Sequence, residues 1–308
     1  MATFMLQYRQ ISGKDFHIMF EVFKTSNKPL NMAVYKDITK SQDVYDLNEA
    51  DQVLLPFAVD DAILNAINQG TFEAPLAIHF WPTRPTVILG GMDTRLPNFN
   101  QAVTWLYRNQ DILPVVRPAG GLAVVSDPNV LNLTLLIDTQ NHAFTIDQAY
   151  EFIVALLQEM MDEHGLTLEV GEVATSYCPG KFDVSINGQK VAGIAQRRIG
   201  HAVGIYLYMS ITGDQTSRGQ LVADMYQEGQ ADQDEKGRYP QVDPSVMANL
   251  SDFSSIDSVE QFVDQLLAVI AHAGVNLNER NQSELDTATY IERMQKRNQA
   301  LYDILADK

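Results

Sequence analysis

Residues 176–198 read Ser-Tyr-Cys-Pro-Gly-Lys-Phe-Asp-Val-Ser-Ile-Asn-Gly-Gln-Lys-Val-Ala-Gly-Ile-Ala-Gln-Arg-Arg. The stretch holds the one cysteine of the chain, Cys178, in a Tyr-Cys-Pro-Gly sequence that is typical of a turn. Asn187-Gly188 is the dipeptide that most favours a two-residue β-hairpin turn. The sequence therefore predicts paired strands on either side of this turn, which bring Lys190 back towards the cysteine loop.

Cys178 and Lys190 are the candidate catalytic residues. A thiol has an ordinary pKa of about 8.5, and a nearby cation lowers it and so favours the nucleophilic thiolate. The ammonium of Lys190 would also stabilise the oxyanion that forms when a thiolate attacks a carbonyl. The other interpretations are a buried structural cysteine, a solvent-exposed hairpin lysine, and a Cys–His pair with His201.

A second glycine-containing stretch runs from Arg117 through Pro-Ala to Gly120-Gly121. It lacks the Gly-Lys-Ser/Thr of a P-loop and the spacing of a dinucleotide-binding fingerprint. One interpretation is a plain hairpin turn between two strands. The other is a backbone that leaves room for an acyl chain, with Arg117 available for a carboxylate or a phosphate. Gly90-Gly91, directly after an apolar run, predicts a close approach of backbone segments.

The wider pattern predicts an α+β fold with mixed, mainly antiparallel sheets and flanking helices, because strands with interspersed helices are mostly connected as hairpins. A helix is expected over residues 51–69, with Asp60, Asp61 and Asn65 on its solvent side. We expect an N-terminal segment (1–45), a catalytic domain (46–250) and a helical C-terminal segment (251–308).

The composition excludes several classes of protein. Of 308 residues, 45% are hydrophobic, and the formal net charge is −17, which argues against nucleic acid or an anionic membrane as partner. No apolar run reaches the roughly 18 residues that span a bilayer, and the first residues do not resemble a signal peptide. A single cysteine cannot form an intramolecular disulfide and fits a reducing cytoplasm. The histidines and the cysteine have no metal-ligand spacing, so no metal is expected.

Basic residues are concentrated between residues 181 and 201, where Lys181, Lys190, Arg197 and Arg198 are accompanied by one acid, Asp183. On a chain that is acidic elsewhere, this suggests that an acidic group or partner meets the region. The other interpretation is a solvated strand end.

These stretches together resemble the lipoate-protein ligase and octanoyltransferase family, which shares its catalytic fold with biotin-protein ligase. The residues that carry the resemblance are 117–125, Asn132 and the run from Asp183 to Arg198. Residues 93–97 and 176–180 are similar to the branch that moves acyl groups between proteins without ATP.

The resemblance implies an acyltransferase of protein lipoylation. Its donor would be the octanoylated glycine cleavage H protein, and its acceptors the lipoyl domains of 2-oxoacid dehydrogenase complexes, with no cofactor. It places the acyl-thioester on Cys178 and the lysine that lowers the thiol pKa at Lys190. The implied substrate-binding residues are Arg117, Gly120, Gly121, Asp183 and Gly193.

Three other functions stay open at this point. An ATP-dependent lipoate-protein ligase would need a nucleotide site, but where ligases usually show Gly-Gly-Gly or Gly-Gly-Arg this chain has Gly120-Gly121-Leu122. A transferase could instead take octanoyl from acyl carrier protein. A non-catalytic acyl-protein binding module would give no reason for a cysteine twelve residues before a hairpin lysine.

Overall fold

The computed structural model describes residues 20–23, 30–36 and 49–306. The strands of these ranges are β1 (Leu30–Lys36), β2 (Leu76–Phe80), β3 (Thr86–Leu89), β4 (Val115–Val116), β5 (Val124–Ser126), β6 (Val130–Asp138), β7 (Glu169–Val170), β8 (Val184–Ile186), β9 (Gln189–Ile199), β10 (Ala202–Ser210) and β11 (Val275–Glu279). The α-helices are α1 (Glu49–Asn68), α2 (Phe99–Gln110), α3 (Ile146–Asp162), α4 (Gln215–Glu228), α5 (Val259–His272) and α6 (Ala288–Ala306).

A large sheet has the strand order β11-β1-β2-β6-β10-β9-β8-β7. Strand β1 runs parallel to β11 and to β2, and the other neighbours are antiparallel. The predicted α+β fold with mixed, mainly antiparallel sheets is therefore confirmed.

Helices cover both faces of the large sheet, as the side-chain alternation of β6 requires. Leu133 and Leu135 lie in the core that includes α3 and α5, whereas Leu136 lies in the core that includes α1. Successive side chains of a strand point to opposite faces, so a continuous apolar run needs apolar cover on both sides.

The prediction that Asp60 and Asp61 lie on the solvent side of α1 is wrong, since Asp60 is 0% and Asp61 1% exposed. Asp60 accepts hydrogen bonds from Thr134 and contacts His79 Nδ1 at 2.8 Å, and Asp61 forms a two-point ion pair with Arg197. A periodic pattern places charged residues outside by default, but here partners on other elements satisfy them.

The hairpin at Asn187-Gly188 is confirmed. Ile186 pairs with Gln189 across the turn, and both turn residues have positive φ angles of 51° and 77°. This backbone matches the twist of the strands that it joins.

The glycine stretch after Arg117 is not a hairpin. Strands β4 and β5 both pair with β3, one on each side, in a small sheet of order β4-β3-β5. The connection from residue 117 to 123 must therefore pass over the end of β3, where the N–H of Arg117 still donates to the carbonyl of Leu89. Arg117, Gly120 and Gly121 of this connection line a cavity.

The two ends of the chain contribute to the large sheet. β1 lies in the expected N-terminal segment and β11 in the expected C-terminal one, and they pair with each other. Strand β11 was not anticipated from the sequence. Most of residues 1–45 lie outside the described residues, and the segment boundaries near residues 45 and 250 stay predictions.

Candidate active site

Cys178 lies in the loop between β7 and β8, and its side chain is half-buried. Its φ is +48°, in the left-handed region that residues with a Cβ adopt at a cost of about 1–3 kcal/mol. Tyr177 before it is buried, with 1% exposure, and anchors the loop to the interior. Such a strained backbone at a single position persists only where surrounding contacts hold it in place.

The sulfur of Cys178 contacts two donors from the glycine connection. The backbone N–H of Leu122 donates to Sγ at 3.1 Å, and the guanidinium Nη2 of Arg117 lies 3.6 Å from it. Arg117 is 6% exposed and also donates to the carbonyls of Ile88, Gly120 and Leu122. Both donors favour the thiolate over the thiol.

Lys190 is the second residue of β9, directly after the hairpin turn, and it is buried, with 4% exposure. Its Nζ lies 2.9 Å from Asp183 Oδ1 and donates to Ser176 Oγ and to the carbonyls of Tyr177 and Cys178 at 3.1, 3.0 and 2.9 Å. The hairpin thus brings Lys190 to the cysteine loop as expected, where Nζ contacts a carboxylate, a hydroxyl and two backbone carbonyls of the described residues rather than the sulfur. The solvent-exposed alternative for Lys190 is excluded.

Asp183 connects Lys190 to the loop backbone. Its Oδ2 accepts from the N–H groups of Val173 and Gly180, each at 3.1 Å. Burial raises the pKa of the Asp183 carboxyl above its ordinary value, and the Lys190 charge and these hydrogen bonds oppose that rise.

Glycine is required at two places around the sulfur. Gly121 has φ +98°, and a Cβ on it would lie 2.5 Å from Arg117 Nη2 and 2.9 Å from Cys178 Sγ. A Cβ on Gly90 would lie 1.8 Å from the carbonyl oxygen of Gly121, so the expected close approach at Gly90 is confirmed. A Cβ on Gly193, by contrast, would lie 3.6 Å from Cε and 3.7 Å from Nζ of Lys190, which are ordinary contact distances.

A cavity of about 260 Å³ adjoins the sulfur. All seven predicted site residues line it, namely Arg117, Gly120, Gly121, Cys178, Asp183, Lys190 and Gly193. The rest of the lining includes apolar and aromatic side chains, among them Phe57 of α1, Trp81 directly after β2, and Leu207 of β10. A reactive thiol beside an apolar cavity can hold a hydrocarbon chain while its carbonyl end meets the sulfur.

A buried polar network behind the cysteine loop was missed from the sequence. The hydroxyl of Tyr177 contacts that of Tyr208 and accepts from Gln215, and Ser210 links Gln215 to Arg218. Arg218 in turn forms a two-point ion pair with Asp127. Tyr208, Ser210, Gln215 and Arg218 are near one another in the sequence, but Tyr177 and Asp127 are distant from them, and no local spacing marks these residues as partners.

The basic residues between 181 and 201 are mostly neutralised within the chain. Lys181 pairs with Asp147, Lys190 with Asp183 and Arg197 with Asp61. Arg198 donates to the carbonyls of Phe144 and Thr145. The concentration of positive charge in the sequence therefore does not become an equally strong positive surface.

The sequence profile described as the lipoyl protein ligase A/B catalytic domain matches residues 52–271, which is more than half of the chain. The chain belongs to this family. An octanoyl-[GcvH]:protein N-octanoyltransferase from Geobacillus kaustophilus is 38% identical over 70% of this chain and 74% of its own length. A lipoyl-[GcvH]:protein N-lipoyltransferase from Listeria monocytogenes is 34% identical over 87% of this chain and 97% of its own. The predicted family and the predicted acyltransferase activity are confirmed.

Solved structures of the family share the fold. Lipoate-protein ligase A bound with ATP has a TM-score of 0.59 at 14% identity, with 88% of this chain and 94% of the other covered. A bipartite lipoate protein ligase from Thermoplasma acidophilum, studied with its E2 lipoyl domain, has a TM-score of 0.57 at 14% identity, with 88% and 92% covered. At this identity the likeness concerns the fold alone.

Among the described residues, no helix is long and apolar enough to cross a bilayer. No group of three or more His, Cys, Asp and Glu side chains in this part of the chain could hold a metal ion.

Proposed function

We propose that this lipoyl protein ligase family member transfers an octanoyl or lipoyl group from the lysine of the glycine cleavage H protein to lysines of lipoyl domains of 2-oxoacid dehydrogenase complexes. The acyl group would be carried as a thioester on Cys178. The relatives are named as [GcvH]:protein acyltransferases, and this supports the H protein as the acyl donor. The observation that carries the residue assignment is the half-buried Sγ that meets an N–H donor and a guanidinium at an apolar cavity.

The chemistry divides into two acyl transfers. The Cys178 thiolate adds to the amide carbonyl of the donor lysine, the C–N bond breaks, and the amine takes up a proton as it leaves. The acceptor lysine, as the free amine, then adds to the thioester, releases a proton, and breaks the C–S bond to regenerate the thiolate. One amide replaces another, so the equilibrium constant should lie near unity and no ATP is needed.

The cavity supplies the binding energy for the acyl chain. Burial of each methylene group contributes about 0.8 kcal/mol, so an octanoyl chain that enters the apolar part gains several such increments. Arg117, Gly120, Gly121, Asp183 and Gly193 would border the carbonyl end of the acyl group, while Phe57 and Trp81 contact its hydrocarbon part.

Intact-mass spectrometry tests the thioester directly. We expect a mass increase of one octanoyl group after incubation with octanoyl-H protein, removable by neutral hydroxylamine, and no increase in Cys178→Ala. Cys178→Ser is the matched control, since it keeps the shape of the side chain but holds any acyl group as a hydroxylamine-resistant ester. Full activity of Cys178→Ala would contradict the proposal.

The same assay separates the competing functions. Modification of an apo lipoyl domain that requires ATP and free octanoate, and that survives loss of the thiol, would identify a ligase. Faster acylation of Cys178 by octanoyl-acyl carrier protein than by octanoyl-H protein would identify the other donor. We expect the reaction in the cytoplasm, where a free thiol stays reduced.

A further inference from the structure

We propose that the open edge of strand β9, residues 193–199, is the surface on which the acceptor lipoyl domain docks, by pairing an extended segment beside its target lysine with the backbone of this edge. The inference rests on the proposed function, which makes a lipoyl domain the acceptor, and it names the part of this chain that the domain contacts. The partner would add a strand to the large sheet, which is a known mode of protein recognition.

Strand β9 is longer than its neighbour on one side. It pairs with β10 from Ala192 to Ile199, but with β8 only from Gln189 to Ala192. Among the described residues, no strand lies beside residues 193–199 on the side away from β10. The exposure changes at the same point, since residues 190–192 are buried and every residue from 193 to 199 is partly or fully exposed. The second half of β9 is therefore an open edge inside the large sheet.

The hydrogen-bonding groups of this edge follow from the pairing. Ile199 and Ala202 pair across a two-residue turn, and the residues that flank such a turn form a hydrogen-bonded pair of the antiparallel ladder. Since the direction alternates along a strand, the backbone groups of residues 193, 195 and 197 point to β10. Those of three residues point to the open edge: Ile194, Gln196 and Arg198. Within the ranges that the structure describes, no other segment bonds the backbone of these three.

The side chains of two edge residues hold the strand from one face. Gln196 Nε2 donates to the carbonyl of Ile146 at 2.7 Å, and the guanidinium of Arg198 donates to the carbonyls of Phe144 and Thr145 at 2.8 and 2.9 Å. These contacts fix the strand against the segment before α3 and leave its outward backbone groups free. A strand that is already extended and held loses little conformational freedom when a partner pairs with it.

The open edge begins at the active-site cavity. Residues 193–196 line the cavity together with Cys178. The side chain of a target lysine reaches about 6 Å from its Cα to its amine. Residues 194–198 cover roughly 13 Å of edge, at about 3.3 Å per residue. A segment of the partner can therefore pair with this edge while a lysine a few residues along the same segment enters the cavity.

Length and position distinguish this edge from the two ends of the sheet. Long free edges invite pairing with another chain, and proteins usually shorten or cover them. Strand β7 at one end has two residues. Strand β11 at the other end lies five strands from β9, roughly 24 Å away at about 4.8 Å per strand. Pairing through the backbone also suits an enzyme with several acceptor domains, because it depends little on their side chains.

A proline substitution tests the edge, because proline has no N–H to donate. Arg198→Pro and Arg198→Ala both remove the guanidinium, but only the alanine variant keeps the outward N–H. An edge strand tolerates proline where the N–H faces away from the sheet. The comparison of the two variants therefore isolates the backbone group.

Both variants are first loaded with the acyl group from a small thioester, octanoyl-N-acetylcysteamine. The Cys178 thiolate forms the new C–S bond, and the N-acetylcysteamine thiolate leaves with the electron pair of the old one. At low concentration of an apo lipoyl domain, we expect the proline variant to transfer octanoyl roughly tenfold more slowly than the alanine variant, since a backbone hydrogen bond is lost and the ring obstructs the incoming strand. Intact-mass spectrometry measures the rate.

A small acceptor gives the matched control reaction. Transfer from the same octanoyl-enzymes to Nα-acetyl-lysine amide needs the cavity but no docking, so the two variants should react equally fast. Equal rates of both variants towards the lipoyl domain would overturn the inference, and so would an equal loss towards both acceptors. A wild-type octanoyl-enzyme that transfers nothing to the lipoyl domain would contradict the proposed function, and the inference with it.

Hydrogen–deuterium exchange of the wild-type chain, resolved by NMR, decides the question if the proline variant does not fold. We expect the amides of Ile194, Gln196 and Arg198 to exchange fast in the free chain and to become protected when an apo lipoyl domain is added. The amides of residues 193, 195 and 197, which face β10, should exchange slowly in both states. Protection that appears elsewhere, with these three outward amides unchanged, would overturn the inference.

Discussion

Asp93 is a buried carboxyl group outside the cavity, with 0% exposure, and burial raises its pKa from 3.8 to about 6. The folded chain then binds more protons than the unfolded chain between these two pKa values, so stability falls as pH rises from about 4 to about 6. We expect Asp93→Asn to remove this loss, so that the variant gains about 3 kcal/mol relative to wild type across the window. Urea unfolding at a series of pH values measures the difference.

Asp214 is the control for Asp93, because its pKa is shifted in the opposite direction. The pKa of the exposed Asp214 is lowered by its hydrogen bonds with Ser217, so its contribution is present at neutral pH and is lost as pH falls. Asp214→Asn should therefore lose stability relative to wild type as pH rises. A pH-independent difference for Asp93→Asn would show that the carboxyl is not protonated by folding.

At the residue scale, the sequence predicted which residues meet but not how they pair. Cys178 and Lys190 were found because an Asn-Gly turn fixes the register between them, which is a local rule. The choice of Lys190 for Asp183, and of Arg117 for the sulfur, depends on the packing of the 117–123 connection against the cysteine loop. Such long-range contacts leave no trace in local spacing.

At the scale of elements, the connection between β4 and β5 has a sharp steric limit. Gly121→Ala would require an unfavourable positive φ and would push a methyl group onto Arg117 Nη2 and Cys178 Sγ. We expect a loss of about 2 kcal/mol or more in unfolding free energy and slower alkylation of the thiol. Chemical unfolding measures the loss of stability, and the rate of alkylation of Cys178 by iodoacetamide measures the effect on the thiol.

The neighbouring glycine provides the comparison. A Cβ on Gly120 meets nothing within 4 Å and no positive φ is involved. Gly120→Ala should leave the stability and the alkylation rate close to those of the wild type. Equal effects of the two substitutions would show that the connection is loose and that its contacts with the sulfur are not maintained in solution.

Two elements carry a complete local signal in the sequence. The hairpin has its Asn-Gly turn, and α3 has a capping box in which Thr145 and Gln148 exchange hydrogen bonds. The glycine connection was ambiguous because two glycines between apolar runs fit a hairpin equally well. Only the insertion of β3 between β4 and β5, which comes from a distant part of the chain, decides it.

At the scale of the whole molecule, the C-terminal helix is part of the site's support. Asn298 of α6 is 0% exposed, accepts from the N–H of Val116 at 2.6 Å and donates to its carbonyl at 3.2 Å. It thereby takes the place of a neighbouring strand next to β4, directly before Arg117. We expect Asn298→Ala to cost about 2–4 kcal/mol, because both backbone groups lose their partner in the interior. Thermal and urea unfolding measure the loss.

A surface position on the same helix is the control. Gln299 is exposed and its side chain donates to Asp303, its one side-chain hydrogen bond among the described residues, so Gln299→Ala should change stability by less than about 0.5 kcal/mol. If Asn298→Ala were equally mild, α6 would be an appendage, in line with a separate segment from residue 251. The pairing of β11 with β1 argues for one cooperative unit, with a single unfolding transition.

The negative charge of the whole molecule affects how fast it meets a charged partner. The net charge is −17, and Lys181, Lys190 and Arg197 are each paired with an aspartate. Encounter with an acidic acceptor domain is then repulsive at long range, and salt should screen the repulsion. We expect kcat/KM for the acceptor to rise roughly threefold between about 10 and about 150 mM salt. Asp147→Asn, which frees the charge of Lys181, should raise the low-salt rate and flatten the dependence; a rate that falls with salt would instead reveal a basic docking surface.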